Sequence, residues 1–178
     1  MGLRPARTCR GVDKVPWARY SKRRPRKSFV KALPHSSLNV FSMGTKGDYE
    51  LRMDLVAKYA IQIRDNAIES ARQSTNKHLE KLIAGNYSLG ILVYPHNVIR
   101  ENKMISGAGA DRLQKGMRKA YGKPTDRAAR IWKNQTLFSV FVDKKNIRIV
   151  SEAYRRGRGK LPGSFSVITT VLKSESAN

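Results

Sequence analysis

The residues with the clearest capacity for chemistry lie in the stretch 100–124, where glycines and cations alternate with few apolar side chains. Its first part, residues 105–110, is rich in glycine, which lets a backbone approach a ligand closely. Its second part predicts a short helix with Leu113 and Met117 on one face and cations on the other. Because such cations neutralise phosphates, we expect this stretch to insert into a polyanionic surface.

A second group of cations fills residues 1–36, where eleven Lys and Arg residues face a single acidic residue, Asp13. Aliphatic side chains are sparse there and follow no period, so this arm is not expected to bury enough apolar surface to fold by itself. Trp17, Tyr20 and Phe29 are interleaved with the cations, a pattern that suits stacking on bases or riboses. The alternative is a solvated charged tail without a ligand.

The third cationic segment is residues 144–160, where Lys145, Arg148 and Arg155 are expected on the outer face of a helix. A single charge run is usually a solvated face. Three separate runs with few acidic residues among them indicate contacts with several strands of a folded RNA. Duplex DNA fits less well, because the sequence contains no zinc finger, basic zipper or clear helix-turn-helix.

The charge of the whole 178-residue chain also points to a polyanionic partner. Lys and Arg total 36 against 13 Asp and Glu, a formal net charge of +23 at pH 7. Charge of this size makes a compact chain repel itself unless a polyanion compensates it. The longest apolar run, residues 89–94, is too short to span a bilayer, and the start of the chain lacks the apolar segment of a secretory signal. We therefore expect a cytoplasmic protein with no membrane partner.

No set of residues predicts catalysis or metal binding. His35, His78 and His96 are scattered without the spacing of a metal site. The single cysteine, Cys9, excludes a disulfide within the chain and a cysteine cluster. The acidic residues include no close pair for general acid–base chemistry, and the glycines at 107 and 109 match only part of a dinucleotide fingerprint. We expect no catalytic residue, metal, cofactor or small-molecule substrate.

The elements that position these cations follow from apolar periodicity and turn residues. Strands are predicted at residues 38–41, 49–57, 87–94, 98–100, 128–132, 137–142 and 164–172, the fifth and sixth forming a hairpin around Asn134 and Gln135. Helices are predicted at residues 61–83, in the cationic segment after residue 110, and from Asp143 to about residue 156. Strand 87–94 is apolar on both faces and is expected to be central. This order indicates an α+β fold, with helices packed on a mixed or antiparallel sheet.

Several motifs resemble one family. The opening M-G-L-R-P-A-R, the segment P-H-N-V-I-R-E-N-K-M at residues 95–104 and above all G-A-G-A-D-R-L-Q at residues 107–114 are similar to the archaeal and eukaryotic large-subunit ribosomal protein L-ten-e family, the counterpart of bacterial L-sixteen. G-M-R at 116–118, G-K-P at 122–124 and L-P-G at 161–163 extend the resemblance over nearly the whole chain, with an archaeal pattern. Ser106-Gly107 departs from the Ser-Cys of eukaryotic members, and residues 48–59 match them poorly.

The resemblance implies an α/β-hammerhead-like sandwich, bound in the ribosome to large-subunit rRNA between the central protuberance and the A-site/P-site tRNA cleft. The expected organisation is a basic extended arm at 1–36, one α+β rRNA-binding domain at 37–173 with a loop inserted at about 103–124, and a polar tail at 174–178. The implied partners are large-subunit rRNA, nearby tRNA and neighbouring large-subunit ribosomal proteins. The implied roles are tRNA placement and subunit assembly, without catalysis by the protein.

The candidate rRNA-binding residues are the cations of the arm, the central loop and the last helix: Arg4, Arg7, Arg10, Lys14, Arg19, Lys22, Arg23, Arg24, Arg26, Lys27, Lys31, Arg100, Lys103, Arg112, Lys115, Arg118, Lys119, Lys123, Lys145, Arg148, Arg155, Arg156 and Arg158. The resemblance implies a loop near tRNA formed by Met104, Ile105, Ser106, Gly107, Ala108, Gly109, Ala110, Asp111 and Arg112. The alternative function is a free-standing RNA-binding assembly factor or chaperone. An enzyme acting on RNA is a third possibility, for which the sequence offers no site.

Overall fold

The computed structural model describes residues 11–12, 30, 32–101 and 122–172. Within these ranges the chain forms eight strands and two α-helices. The strands are β1 Ser42–Gly44, β2 Leu51–Ala57, β3 Ile61–Arg64, β4 Ser88–Ile91, β5 Asn97–Glu101, β6 Lys123–Ile131, β7 Thr136–Val142 and β8 Phe165–Val171. The helices are α1 Asp65–Ile83 and α2 Ile147–Arg158, and a 3-10 turn at Lys144–Asn146 precedes α2. The predicted α+β class is therefore confirmed.

All strand pairs within the described ranges are antiparallel, and the strands divide between two sheets. The larger sheet has the order β1-β4-β7-β2-β8, and the smaller has the order β3-β6-β5. Strand β4, predicted to be central, has a neighbour on each side, but β7 occupies the middle of the larger sheet. The predicted strand 87–94 and strand β7 are both largely apolar, so composition alone could not show which of them is in the middle.

The core lies against one face of the larger sheet. Met53, Val140 and Leu89 pair across three adjacent strands and are at most 1% exposed. From α2, Tyr154 reaches this layer, and its hydroxyl donates a 2.7 Å hydrogen bond to the carbonyl of Met53. Burial holds the pKa of the Tyr154 phenol well above its ordinary value, and the nearby carboxylate of Asp54 acts in the same direction.

The helix predicted from residue 61 begins four residues later than expected. Ile61–Arg64 is strand β3, in which every residue is buried, and it pairs with Ala128–Ile131 of β6. Because the partner strand lies far along the chain, local periodicity could not reveal the pairing. The helix then starts at Asp65, whose carboxylate accepts a 2.8 Å hydrogen bond from the backbone N–H of Ser37.

Helices α1 and α2 pack closely against each other, and Gly157 makes this approach possible. A Cβ atom at position 157 would lie 2.4 Å from the Thr75 hydroxyl oxygen and 3.5 Å from the Ala71 carbonyl oxygen. Real Cβ atoms do not come that close to a neighbour, so the crossing point requires glycine. Thr75 and Ala71 are themselves fully buried.

The other elements predicted within the described ranges exist with shifted boundaries, whereas the short helix predicted after residue 110 lies outside the described residues. The strand predicted at 38–41 is displaced to Ser42–Gly44, and Leu38 is instead a buried core residue outside any strand. The hairpin around residues 134–135 is confirmed, with Asn134 at a positive φ of 62°, but its first strand begins at Lys123 rather than at residue 128. The predicted last strand and last helix are confirmed as β8 and α2.

Candidate nucleic-acid interface

The structure describes two groups of the candidate rRNA-binding residues. Arg100 and Lys123 lie at the open end of the β5–β6 pair, and Lys145, Arg148, Arg155, Arg156 and Arg158 lie on or just before α2. The other candidates lie outside the described residues: Arg4, Arg7, Arg10, Lys14, Arg19, Lys22, Arg23, Arg24, Arg26, Lys27, Lys31, Lys103, Arg112, Lys115, Arg118 and Lys119. The whole loop expected near tRNA, residues 104–112, also lies outside them.

The ends of the central loop are held together by the small sheet. Glu101 pairs with Lys123 and Arg100 with Pro124, in an antiparallel register that is irregular between Ile99 and Arg100. The 20 residues from 102 to 121 therefore leave and re-enter the fold at adjacent positions on one sheet end. Both ends of the segment that contains the glycines at 107 and 109 are thus held at the same end of the small sheet.

Gly122 allows the two strands to meet at the base of this loop. A Cβ atom there would lie 3.0 Å from the carbonyl carbon and 3.1 Å from the nitrogen of Glu101, and 3.2 Å from the Cβ of Arg100. These distances are tighter than ordinary van der Waals contacts, and two of the three atoms are backbone. The absence of a side chain at this position therefore sets how closely the loop's ends approach.

The small sheet also receives the N-terminal arm. The buried guanidinium of Arg130 in β6 donates a 2.9 Å hydrogen bond to the carbonyl of Val12, which is only 2% exposed. Val30 is buried against Val98 of β5. Two points of the arm are therefore fixed to the same three strands that carry the loop.

A further contact ties the start of the domain to the same sheet. Arg127 of β6 donates a 2.6 Å hydrogen bond through Nε to the carbonyl of Pro34, and a second one of 3.1 Å to the hydroxyl of Tyr94. Sequence reasoning missed Arg127 and Arg130 as anchoring residues. Their local sequence offers no signal, because the carbonyls that they bind come from distant parts of the chain.

The outer face of α2 is the main cationic surface that the structure describes. Arg155 and Arg156 are exposed, and both approach Glu152, with the Arg156 contact at 2.8 Å and the Arg155 contact at 3.6 Å. The hydrogen bond from Arg156 lowers the pKa of Glu152, so the carboxylate stays ionised. Residues 143–160 still contain seven Lys and Arg against two acidic residues, which leaves a net positive surface.

On α1, the guanidinium of Arg72 is less available to a ligand. Arg72 binds Glu69 through two hydrogen bonds, one of them 2.8 Å long from Nε, and this lowers the pKa of Glu69. The side chains of this pair are only 14% and 17% exposed. Arg72 also contacts the sulfur of Met43 at 2.9 Å, so the neighbouring sheet edge covers the pair.

The described ranges show no alternative site. Among those residues, no cluster of His, Cys, Asp and Glu side chains could hold a metal ion. No helix within them is long and apolar enough to cross a bilayer. What the described surface offers chemically is guanidinium and ammonium groups, the donors that bind phosphate oxygens.

Comparisons with a family model and with individual proteins point to the same family. Residues 17–168 match the family model for ribosomal protein L16p/L10e. The large ribosomal subunit protein uL16 of Staphylothermus marinus is 42% identical over 175 residues, which cover 97% of this chain and 97% of that protein. The proteins of the same name from Archaeoglobus fulgidus and Hyperthermus butylicus are 40% and 42% identical, over 85% of this chain and 88% and 85% of their own lengths. The similarity thus extends from the arm to the last strand.

Proposed function

The chain belongs to the ribosomal protein L16p/L10e family, and from this premise we propose that it is a structural constituent of the large ribosomal subunit that binds large-subunit rRNA. The family is one of ribosomal proteins, and the chain is accordingly not an enzyme. The proposed setting is the ribosome in the cytoplasm, among neighbouring large-subunit proteins. The described surface supports this through its exposed guanidinium groups on α2.

The observation that carries the proposal is the convergence of the arm and the central loop on one small sheet. Val12 and Val30 are anchored to β6 and β5, and the loop leaves from the ends of the same two strands. The segments outside the described ranges hold 17 Lys and Arg against three acidic residues, whereas the described ranges hold 19 against ten. A polyanion that contacts both segments would therefore meet most of the uncompensated charge near this sheet.

The finer part of the proposal concerns location. Residues 1–36 serve as a basic arm in rRNA, and residues 37–173 form the rRNA-binding domain, with a hammerhead-like arrangement of its sheets. Residues 104–112 lie near tRNA between the central protuberance and the A-site/P-site cleft, where they support tRNA placement. The glycine content of this loop and its tethered ends suit close approach to a crowded RNA surface.

Sedimentation tests the proposal. A tagged copy of the chain is expressed in an archaeal host, and its ribosomal subunits are separated on a sucrose gradient after a moderate salt wash. A structural constituent stays with large subunits at one copy per particle. A free-standing assembly factor leaves during the wash or follows only immature particles, and that result would replace the proposed role.

A further inference from the structure

Strand β8 lies at one end of the five-stranded sheet, and no strand within the described ranges covers its outer edge. Within the described ranges β8 pairs only with β2. Natural edge strands are usually blocked by a lysine, a proline or a bulge, because an open edge templates pairing with another strand. The interior of β8 contains none of these, and its pairing with β2 is regular over all seven residues.

The hydrogen bonds at the two ends of the β2–β8 ladder show which backbone groups face outward. The N–H of Leu172 donates to the carbonyl of Glu50, and the N–H of Lys58 donates to the carbonyl of Ser164. In an antiparallel ladder the hydrogen-bonded positions recur at every second residue. The backbone groups of Val167, Thr169 and Val171 therefore point away from β2, toward the open edge.

The side chains along this edge are exposed and uncharged. Ile168 is 49% exposed, Val171 is 57% exposed and Leu172 is 48% exposed. No charged residue occurs from 161 to 172, in a chain with 36 Lys and Arg. The nearest charges across β2, those of Arg52 and Asp54, bind each other at 2.9 Å. Arg158 of α2 donates a 3.4 Å hydrogen bond to the carbonyl of Phe165 at the start of β8. From Val167 to Val171 the strand itself carries no cation for a phosphate backbone, so RNA is a poor occupant of that part of the edge.

We propose that the open edge of β8 binds an extended, uncharged segment of a neighbouring large-subunit protein, which adds a sixth strand to the sheet. This inference rests on the proposed function, since it takes the partner from the same particle. Main-chain groups at Val167, Thr169 and Val171 supply the hydrogen bonds, and the exposed apolar side chains select the partner's sequence. The chain thus has one surface for RNA and a separate one for protein.

Cross-linking in assembled particles tests the inference. A photoreactive benzoylphenylalanine replaces Val171 in the full chain, and purified large subunits are irradiated. The expected product joins position 171 to an extended, uncharged segment of one ribosomal protein, identified by mass spectrometry. The same photoreactive residue at Lys77, exposed on α1, is the control and should not give that product.

Three variants then separate edge pairing from general disruption. Thr169→Pro removes an outward N–H and should reduce the cross-link several-fold while the melting temperature stays near that of the parent. Thr170→Pro removes an N–H bound to β2 and should instead lower the melting temperature. Ile168→Lys leaves the backbone intact and should also reduce the cross-link, because it adds a charge to the apolar edge.

The outcomes are distinguishable. A cross-link to rRNA or to a second copy of this chain, or no cross-link at all, overturns the inference while the chain still sediments with large subunits. An undiminished cross-link in both Thr169→Pro and Ile168→Lys also overturns it. A chain absent from large subunits overturns the proposed function, and the inference with it.

Discussion

At the scale of single residues, one missing methyl group at position 157 sets the distance between α1 and α2. Gly157→Ala adds a Cβ that would lie 2.4 Å from the buried hydroxyl oxygen of Thr75. Alanine gains about 1 kcal/mol of helix propensity over glycine, but overpacking in a closed core costs about 1–3 kcal/mol. We therefore expect a net loss of stability, measured as a lower urea midpoint with an unchanged m-value.

The double variant Gly157→Ala with Thr75→Ala is the matched control. It removes the oxygen with which the new methyl group would collide, so much of the lost stability should return. If Gly157→Ala alone raised the urea midpoint, the gain in helix propensity would exceed the cost of the collision with Thr75. That result would contradict the close approach of α1 and α2 at this position.

Tyr154 makes the stability of the fold sensitive to alkaline pH. Burial raises the pKa of its phenol in the folded state, whereas the unfolded chain ionises it near the ordinary value of about 10. Because the folded-state pKa is the higher one, this stabilisation is present below the unfolded pKa and is lost as pH rises toward the folded one. Above pH of about 10, the free energy of unfolding should fall by up to about 1.4 kcal/mol per pH unit from this group.

The comparison with Tyr154→Phe isolates this effect. At neutral pH the variant should lose about 0.5–1.5 kcal/mol, because the hydrogen bond to the Met53 carbonyl is gone. Between about pH 10 and 11 its stability should depend less on pH than that of the parent. The free energy of unfolding is measured by urea titration at each pH. If it fell equally with pH in the two proteins, the role assigned to the buried phenol would be contradicted.

At the scale of elements, the base of the β5–β6 hairpin should be the most sensitive point of the small sheet. Gly122→Val places a side chain within 3.0–3.2 Å of Glu101 and Arg100, and such overpacking costs about 1–3 kcal/mol. Amide hydrogen exchange should become faster in β5 and β6 and stay unchanged in β2 and β7. Gly47→Val is the control, since its nearest neighbour is the ring of Tyr49 at 3.7 Å, an ordinary contact.

The sequence predicted best the elements whose apolar faces are contiguous. In α2, Val150, Ala153 and Tyr154 have the spacing of one helix face, opposite the cations that were predicted to lie outside, and all three are fully buried. Strand β3 was predicted as helix because Ile61 lies seven residues before Ile68, a spacing that continues the apolar face of the helix. Only pairing with the distant strand β6 decides between strand and helix for these residues. Pairing at that sequence separation leaves no pattern in the local sequence.

The candidate site was predicted in part. The glycine loop predicted from the sequence lies outside the described residues. The exposure of the cations on α2 follows from residue type and spacing. The anchoring roles of Arg127 and Arg130 do not, because cations in a strand are ordinarily expected in solvent. Their carbonyl partners at Pro34 and Val12 are set by the tertiary fold.

At the scale of the whole molecule, the arm should contribute to RNA affinity in proportion to its charge. Lys22→Gln with Lys27→Gln removes two arm cations without touching the anchored Val12 and Val30. If each contacts a phosphate, the dependence of log K on log salt should weaken by about 0.7–0.9 per lost contact. Filter binding to a large-subunit rRNA fragment at several salt concentrations measures this slope.

The charge-matched control is Lys77→Gln with Lys81→Gln, which neutralises two exposed cations on α1. These residues lie outside the candidate interface, so the slope should stay near that of the parent. Equal losses in the two variants would mean that the protein binds RNA through its net charge alone, and the arm would have no special part.

The two anchors of the arm, Val12 and Val30, also limit its geometry. The segment between Val12 and Val30 is held at both ends, and this limits how far it can extend from the fold. With 18 residue steps between the two anchors, its midpoint can extend no more than about 30 Å from the fold, at about 3.3–3.6 Å per residue. Any rRNA phosphate that residues 13–29 bind must therefore lie within about that distance of the fold.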